Sequence, residues 1–366
     1  MRILYDHQVF SLQDQGGISR YHFELARHLS QRSNVNINVY LGFNQCPYPF
    51  RSLEPFGAHI LGWNVHMSPG LARYALNETV TSVLNLTTKR WDIYHPTYYR
   101  RMPWVRSQRT VATNHDCTPE RFPELFPKPQ RVIREKRDLY ASADAIICVS
   151  ESSRSDLLKY YNVDREKTHV VYLGVTRLER DEAQARNLIE RLRRPYILYV
   201  GARYAYKNFD GLLRAYGLGG FEKEYDLVVV GGGKFTETEL GEIRRLGISD
   251  CVLHWGFVTE PELAEAYSRA HLFVIPSFYE GFGLPPLEAM SMSCPVLASF
   301  TSSIPEVCGD AALYFDPANS GDLDRGLRDA LNDPDRQQHI AMGIERAACF
   351  NWQTTAEKTL ELYGGL

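Results

Sequence analysis

The chain has 366 residues, enough for two domains with separate hydrophobic cores. Its formal net charge of −3 and pI near 6.4 exclude a dedicated nucleic-acid binder, which carries a strong basic excess, so any cationic function must be local. The opening Met1-Arg2-Ile3-Leu4-Tyr5-Asp6 meets charge after few apolar residues, and no later run approaches the roughly 20 apolar residues of a membrane span; a cytoplasmic protein is expected. The seven cysteines, Cys46, Cys117, Cys148, Cys251, Cys294, Cys308 and Cys349, are odd in number and never form a Cys-x-x-Cys pair, as expected of reduced thiols.

Along the chain, apolar strand-like runs alternate with helical periodicity, the signature of parallel α/β architecture. In the first half strands are predicted at 3–5, 35–41, 93–95, 110–113, 145–149 and 169–172, with helices at 18–30, 71–88, 130–142 and 152–160. A charged stretch at 176–195 reads as a linker, and the run 196–200 opens a second domain. Further strands are predicted at 227–230, 252–254, 272–275, 296–298 and 312–315. Two Rossmann-like domains follow, 1–175 and 196–350, with a last helix at 351–366.

Gly16 and Gly17 open the first long helix after what reads as a short polar loop, so their N–H groups suit an anion. Neither this loop nor Val230-Gly231-Gly232-Gly233-Lys234 completes a dinucleotide fingerprint, and tight turns explain both equally well. Asn114-His115-Asp116 ends a strand, placing His115 at a carboxyl edge where α/β sheets bind ligands; Asp116 either orients His115 or caps the residues that follow. Arg203 and Lys207 follow the first strand of the second domain at a helix start, where the dipole disfavours cations, so a bound anion is the simplest compensation.

The most informative segment is Ser277-Phe278-Tyr279-Glu280-Gly281-Phe282-Gly283-Leu284-Pro285-Pro286-Leu287-Glu288. Two carboxylates separated by seven residues bracket a turn between a buried strand and a helix begun by prolines. Gly281 and Gly283 allow close main-chain approach, and the N–H groups of Phe282, Gly283 and Leu284 suit a phosphate. Glu280, at the strand end, and Glu288, expected in the helix's first turn, each suit a pair of vicinal hydroxyls, so one ligand with a sugar at both ends fits. Taken singly, each is equally an ordinary helix-start charge.

In this segment the chain resembles the retaining glycosyltransferases of family 4, group 1 type, whose GT-B fold carries a Glu-x7-Glu motif in the same strand-turn-helix setting. The resemblance extends over nearly the whole chain and is strongest over 196–366. It implies that Glu280 meets the donor sugar and Glu288 the ribose, that Arg203 and Lys207 bind the donor diphosphate, that His115 faces the donor sugar or its phosphate, that Gly16 and Gly17 lie near transferred sugar and acceptor, and that the base meets main-chain groups near Phe257 and Val258. It further implies a cleft between the domains, a terminal helix that crosses back onto the first domain, and no metal or other cofactor. Both Asp-x-Asp triplets, Asp322-Leu323-Asp324 and Asp333-Pro334-Asp335, read as surface charges.

The function expected is therefore transfer of a hexose from a nucleoside diphosphate sugar to a hydroxyl of a saccharide or lipid-linked acceptor, as in bacterial surface polysaccharide or glycolipid assembly. UDP-glucose is the first expectation for the donor and GDP-mannose the alternative. The segment 97–109, with four arginines and three aromatics, is the acceptor-side candidate; it equally suits lipid headgroups at the inner membrane face or a solvated loop. Competing readings are a GT-B-shaped nucleotide-sugar epimerase or hydrolase, which needs no acceptor, and a non-catalytic sugar-binding protein.

Overall fold

Strands buried on both faces form parallel sheets when helices supply the crossovers and cover the faces. The computed structural model, which describes residues 1–14, 16–65, 70–83, 90–319 and 321–366, follows this rule in two units. One comprises Met1–Gly174 with Asn351–Leu366, the other Val175–Phe350. Unit 1 contains β1 (Arg2–Tyr5), β2 (Asn36–Asn44), β3 (His59–Asn64), β4 (Arg90–His95), β5 (Arg106–Asn114), β6 (Ala145–Cys148) and β7 (Thr168–Val170), paired in the order β3-β2-β1-β4-β5-β6-β7. Unit 2 contains β8 (Tyr196–Val200), β9 (Asp226–Val230), β10 (Val252–Gly256), β11 (Leu272–Ile275), β12 (Val296–Ser299) and β13 (Leu313–Phe315), in the order β10-β9-β8-β11-β12-β13. Every pairing is parallel, and both units are Rossmann-like.

In each sheet the order reverses once, between β1 and β4 and between β8 and β11. At such a switch point the loops leaving the two strands turn to opposite sides and open a crevice at the carboxyl ends. In unit 2 the strands beneath it are held by a core that includes Ile197, Leu212, Leu213, Leu227, Val229 and Val274. In unit 1 Leu4, Trp91 and Tyr94 pack together under the switch point, and Ala112, Ile146 and Leu157 form a second cluster.

Several sequence expectations change. β3 was not predicted: it is an edge strand, exposed at both ends and interrupted by Gly62, so it lacks the apolar signal of a buried run. The supposed polar loop before Gly16 contains a buried helical turn, Gln8–Leu12, and Gln15 lies outside the described residues. The supposed linker carries the helix Glu182–Ile189, tied into unit 2 by Arg180 to Glu265 (2.8 Å) and Arg269 to Glu182 (2.6 Å). The predicted helix at 71–88 is Gly70–Val83, and its last five positions fall outside the described residues. The last helix, Trp352–Gly365, packs in unit 1, where a Cβ on Gly174 would lie 2.2 Å from the Trp352 nitrogen; only glycine permits that crossing.

Candidate active site at the strand ends

At the β8/β11 switch point the two emerging loops are stitched together. The Phe278 N–H donates to the Tyr206 carbonyl at 2.8 Å, and Asn208 Nδ2 donates to the Pro276 carbonyl at 3.1 Å. Lys207, from the first loop, places its Nζ 2.7 Å from both carboxylate oxygens of Glu280, from the second. The two side chains are 21% and 12% exposed, so the pair is partly withdrawn from water yet reachable, and its charge-assisted bonds are less screened than those of a surface pair. Ser277 Oγ donates to Glu280 Oε1 at 2.7 Å, Ser302 Oγ accepts the Glu280 N–H at 2.9 Å, and Ser303 Oγ bonds to the carbonyls of Glu280 (2.9 Å) and Phe282 (2.8 Å). The turn is thus held from beneath by hydroxyls that follow β12.

Gly283 caps the helix Leu284–Ser291 with φ 96°, a left-handed conformation that favours glycine, and a Cβ there would press on Ile304 Cδ1 at 2.6 Å. Pro285 stands in the first turn, as expected. Glu288 does not: it is the fifth residue of the helix, so its carboxylate lies one turn beyond the amino end. That also removes the helix-start reading for this residue, because the dipole's influence fades within the first turn. Glu288 is buried, and its Oε2 accepts the Tyr267 hydroxyl at 3.1 Å.

Arg203 departs further from expectation. Its guanidinium is turned into the protein, 4% exposed, with Nε donating to Glu239 Oε1 at 2.6 Å. Nη1 donates to the Gly231 carbonyl (2.9 Å), and Nη2 to those of Gly233 (3.1 Å) and Lys234 (2.9 Å). The cation that the helix dipole disfavours is compensated within the chain, by Glu239. Gly231 also donates its N–H to Gly256 O at 2.6 Å, which joins the loop after β9 to the end of β10. Phe257 follows there, 80% exposed, with Val258 half-buried beside it: an apolar ring at a carboxyl edge, suited to stacking on a flat ligand.

In unit 1, His115 follows β5 and contacts Tyr21 edge to face at 5.3 Å and His22 at 6.4 Å. Burial holds its pKa down, near 4, with Asp116 opposing and Lys136 adding to the shift, so the ring is neutral at ordinary pH. His95 lies behind it, its Nδ1 2.6 Å from the Tyr363 hydroxyl and its Nε2 2.7 Å from Thr113 Oγ1, and its pKa is lowered to about 3, by burial first and then by His115. Of the two roles open to Asp116, the structure shows capping: its Oδ1 accepts the Thr118 N–H at 3.2 Å and lies 3.8 Å from buried Lys136. The Gly16 carbonyl accepts the Arg20 N–H at 3.0 Å, and the space a Cβ on Gly17 would take is open.

The segment 97–109 is neither one surface nor a solvated loop. Tyr99 is buried, Arg106 and Arg109 belong to β5, and Arg109 pairs with Asp144 at 2.9 Å. Arg100 and Arg101 instead join Arg131, Arg134, Glu135 and Asp138 around a cavity of about 710 Å³, where Arg131 pairs with Glu135 at 3.0 Å and Arg100 with Glu78 at 3.5 Å. Among the described residues no cluster of three or more His, Cys, Asp or Glu side chains is arranged to hold a metal, and no helix is long and apolar enough to cross a membrane.

Residues 180–346 match the family profile of glycosyl transferases group 1, and residues 15–177 that of glycosyltransferase family 4. Over 284 residues, 74% of each chain, the sequence is 34% identical to the O-antigen chain mannosyltransferase B of Escherichia coli. The chain belongs to the family 4, group 1 glycosyltransferases. It is also 29% identical over 275 residues to the serotype-specific mannosyltransferase WbdA of Escherichia coli, 71% of this chain but 33% of that one, so it spans about a third of that relative's length. Its fold is GT-B: the structure of Anabaena HepE in complex with UDP-glucose aligns over 100% of both chains with a TM-score of 0.74 at 19% identity.

Within this glycosyltransferase, the residues that sequence reasoning missed are the supports: Ser277, Ser302 and Ser303 beneath Glu280, Glu239 beside Arg203, Tyr267 on Glu288, and Tyr363 on His95. Phe300-Thr301-Ser302-Ser303, small hydroxyls directly after a buried strand, was the one local signal available for the first group.

Proposed function

We propose that this glycosyltransferase moves a mannosyl group, with retention of anomeric configuration, from a nucleoside diphosphate sugar held by unit 2 to a hydroxyl of a growing bacterial surface saccharide held by unit 1. The observation that carries the reading is the Lys207–Glu280 pair at the β8/β11 switch point. A cation and a carboxylate 2.7 Å apart suit a ligand whose phosphate and sugar hydroxyls are near neighbours, which describes the anomeric end of a nucleotide sugar. Lys207 would neutralise charge growing on the leaving diphosphate, and Glu280 would accept bonds from the sugar hydroxyls and fix its pose. The amino end of Leu284–Ser291 would receive the phosphates, Glu288 the ribose, and Phe257 with Val258 the base. The acceptor oxygen bonds to the anomeric carbon as the bond to the phosphate oxygen breaks, and the acceptor proton leaves on the diphosphate. His115, neutral and facing Tyr21, would contact the sugar or its phosphate, with Asp116 as a cap beside it and Gly16 and Gly17 near the acceptor.

Mannose is chosen over glucose because the relative at 34% identity is a mannosyltransferase of the O-antigen chain. This corresponds to the GDP-mannose reading of the donor. We further propose that no metal is needed, because Lys207 and the helix amino end provide the positive charge, and that Arg100, Arg101, Arg131 and Arg134 meet a phosphate on a lipid-linked acceptor at the cytoplasmic membrane face. The deciding assay is transfer from GDP-mannose and from UDP-glucose to a mannose-terminated oligosaccharide, with the product anomer read by NMR. An α-mannosyl product from the α-linked donor is the expected result. Glucosyl transfer overturns the donor, inversion overturns the mechanism, and nucleotide release without a new glycosidic bond overturns transfer itself in favour of hydrolysis.

A further inference from the structure

We propose that Arg203 is a positioning residue, the internal template of the loop 231–234, and not a ligand of the donor diphosphate. Four of the guanidinium's five N–H groups are already taken, one by Glu239 and three by the carbonyls of Gly231, Gly233 and Lys234. The group is 4% exposed and lies 4.8 Å from the ring centroid of Phe235 and 5.7 Å from that of Phe209, so swinging it toward a ligand breaks all four bonds and both ring contacts. That is the geometry of a core cation, whose removal leaves Glu239 buried and unpaired.

What the template holds is a segment with little rigidity of its own. Gly231, Gly232 and Gly233 are all left-handed, with φ of 87°, 73° and 69°, and three consecutive glycines lose more backbone entropy on ordering than any other triplet. This backbone turns its carbonyls inward, and the guanidinium fork satisfies them. The fit is close enough to dictate sequence: a Cβ on Gly232 would lie 2.6 Å from Arg203 Nη1. Glu239 fastens the assembly to a rigid element. It is the third residue of the helix Glu237–Arg245, its Oε2 accepts the Thr236 N–H at 2.6 Å in a reciprocal cap, and its Oε1 takes Arg203. Burial opposes its ionisation, but the Arg203 guanidinium and the Thr236 N–H hold its carboxyl below the usual range, so the pair is ionised at neutral pH. With Gly231 bonded to Gly256, one buried arginine registers the loops that leave β8, β9 and β10. For the nucleotide, this rests on the donor reading above; the ordering of the loop does not.

The test separates the two. In ligand-free protein, amide hydrogen exchange is measured over 230–236 for wild type, Arg203→Lys, Glu239→Gln and Lys207→Ala. Glutamine can still accept the Thr236 N–H through its one amide oxygen, but it loses the charge and the second acceptor that Arg203 Nε uses. Exchange should quicken roughly tenfold, the factor for losing one charge-assisted hydrogen bond, in Arg203→Lys and Glu239→Gln but not in Lys207→Ala. Gly232→Ala, which removes no charge but strains the left-handed backbone and sets a methyl group 2.6 Å from the guanidinium, should do the same. Unchanged exchange in all three overturns the proposal, whatever the enzyme's donor. Calorimetric titration with GMP and GDP then compares roles: Arg203→Lys and Glu239→Gln should each weaken both nucleotides by similar factors. Selective loss of GDP in Arg203→Lys, with Glu239→Gln binding GDP as well as wild type or better because its guanidinium is released, would show a phosphate ligand instead.

Discussion

At the scale of single residues, the decisive contact is between Lys207 and Glu280, and its energetics follow from partial burial. Removing either partner leaves the other as a poorly solvated charge, so the damage from Lys207→Met and from Glu280→Gln should not add. We expect a coupling energy of about 1 to 3 kcal/mol in kcat/KM from the double-mutant cycle; additive losses would mean that the pair does not act as a unit. Glu288→Gln should behave differently. Its carboxylate is separate from that pair and accepts from Tyr267, so its loss should weaken the bare nucleoside diphosphate by about 1.5 to 3 kcal/mol in a calorimetric titration, while Glu280→Gln acts mainly on turnover. Equal weakening of the bare diphosphate by both variants would reverse the ribose and sugar assignments. His22 offers a stability test. Its ring is fully buried against Tyr5, Tyr21 and His95, and among the described residues only the Thr97 backbone lies near enough to partner either ring nitrogen. Phenylalanine keeps the edge-to-face contacts and removes two buried nitrogens with at most one weak partner, so His22→Phe should leave the urea midpoint unchanged or raised.

Among the elements, the last helix is the one whose contribution is easiest to isolate. Trp352–Gly365 reaches the strand ends of unit 1 through Tyr363, whose hydroxyl meets His95 at 2.6 Å and Tyr5 at 3.4 Å, and His95 passes the connection to Thr113, two residues before His115. Because His95 is neutral, each ring nitrogen has one fixed role, donor or acceptor, and Tyr363→Phe leaves its Nδ1 buried without that partner. The expected cost is about 1 to 3 kcal/mol in the urea midpoint, with turnover reduced beyond any loss of donor affinity. An unchanged stability and turnover would limit the helix to covering the sheet. The edge strand β3, by contrast, is exposed at His59, Trp63 and Asn64, and substitution of Asn64 should be nearly neutral.

For the molecule as a whole, the three depressed histidines of unit 1 at the strand ends contribute to the acid side of the stability curve. His22 and His95 are buried and His115 partly so, all three are neutral, and their pKa values lie below the ordinary 6.5. The unfolded chain binds more protons than the native one below that value, so stability is complete above about pH 6.5 and falls with acidification, levelling near pH 4 for His115. Each histidine contributes a slope of at most about 1.4 kcal/mol per pH unit in this window. Urea midpoints between pH 7 and pH 5 measure it, and His22→Phe should flatten it; a flat wild-type profile would show that the histidines titrate normally. Transfer activity is expected to persist in excess chelator, and complete loss restored by magnesium or manganese would make the metal part of the mechanism.

The sequence by itself determined the architecture and marked where the candidate site is proposed. Runs such as 196–200 and 272–275 are apolar at every position, which only a strand covered on both faces tolerates, and a strand followed by a glycine turn and prolines marks a carboxyl edge whatever the rest of the chain does. The tertiary structure alone decided the partners. Lys207 meets Glu280 across 73 residues and Arg203 meets Glu239 across 36, because the order β10-β9-β8-β11 places loops from distant segments side by side. A cation at a strand end reads the same in sequence whether it stays reachable by a ligand, as Lys207 does at 21% exposed, or is enclosed, as Arg203 is at 4%; both find a carboxylate within 3 Å, and the difference lies in how deeply the sheet order places them, which is fixed by long-range packing that no local pattern encodes.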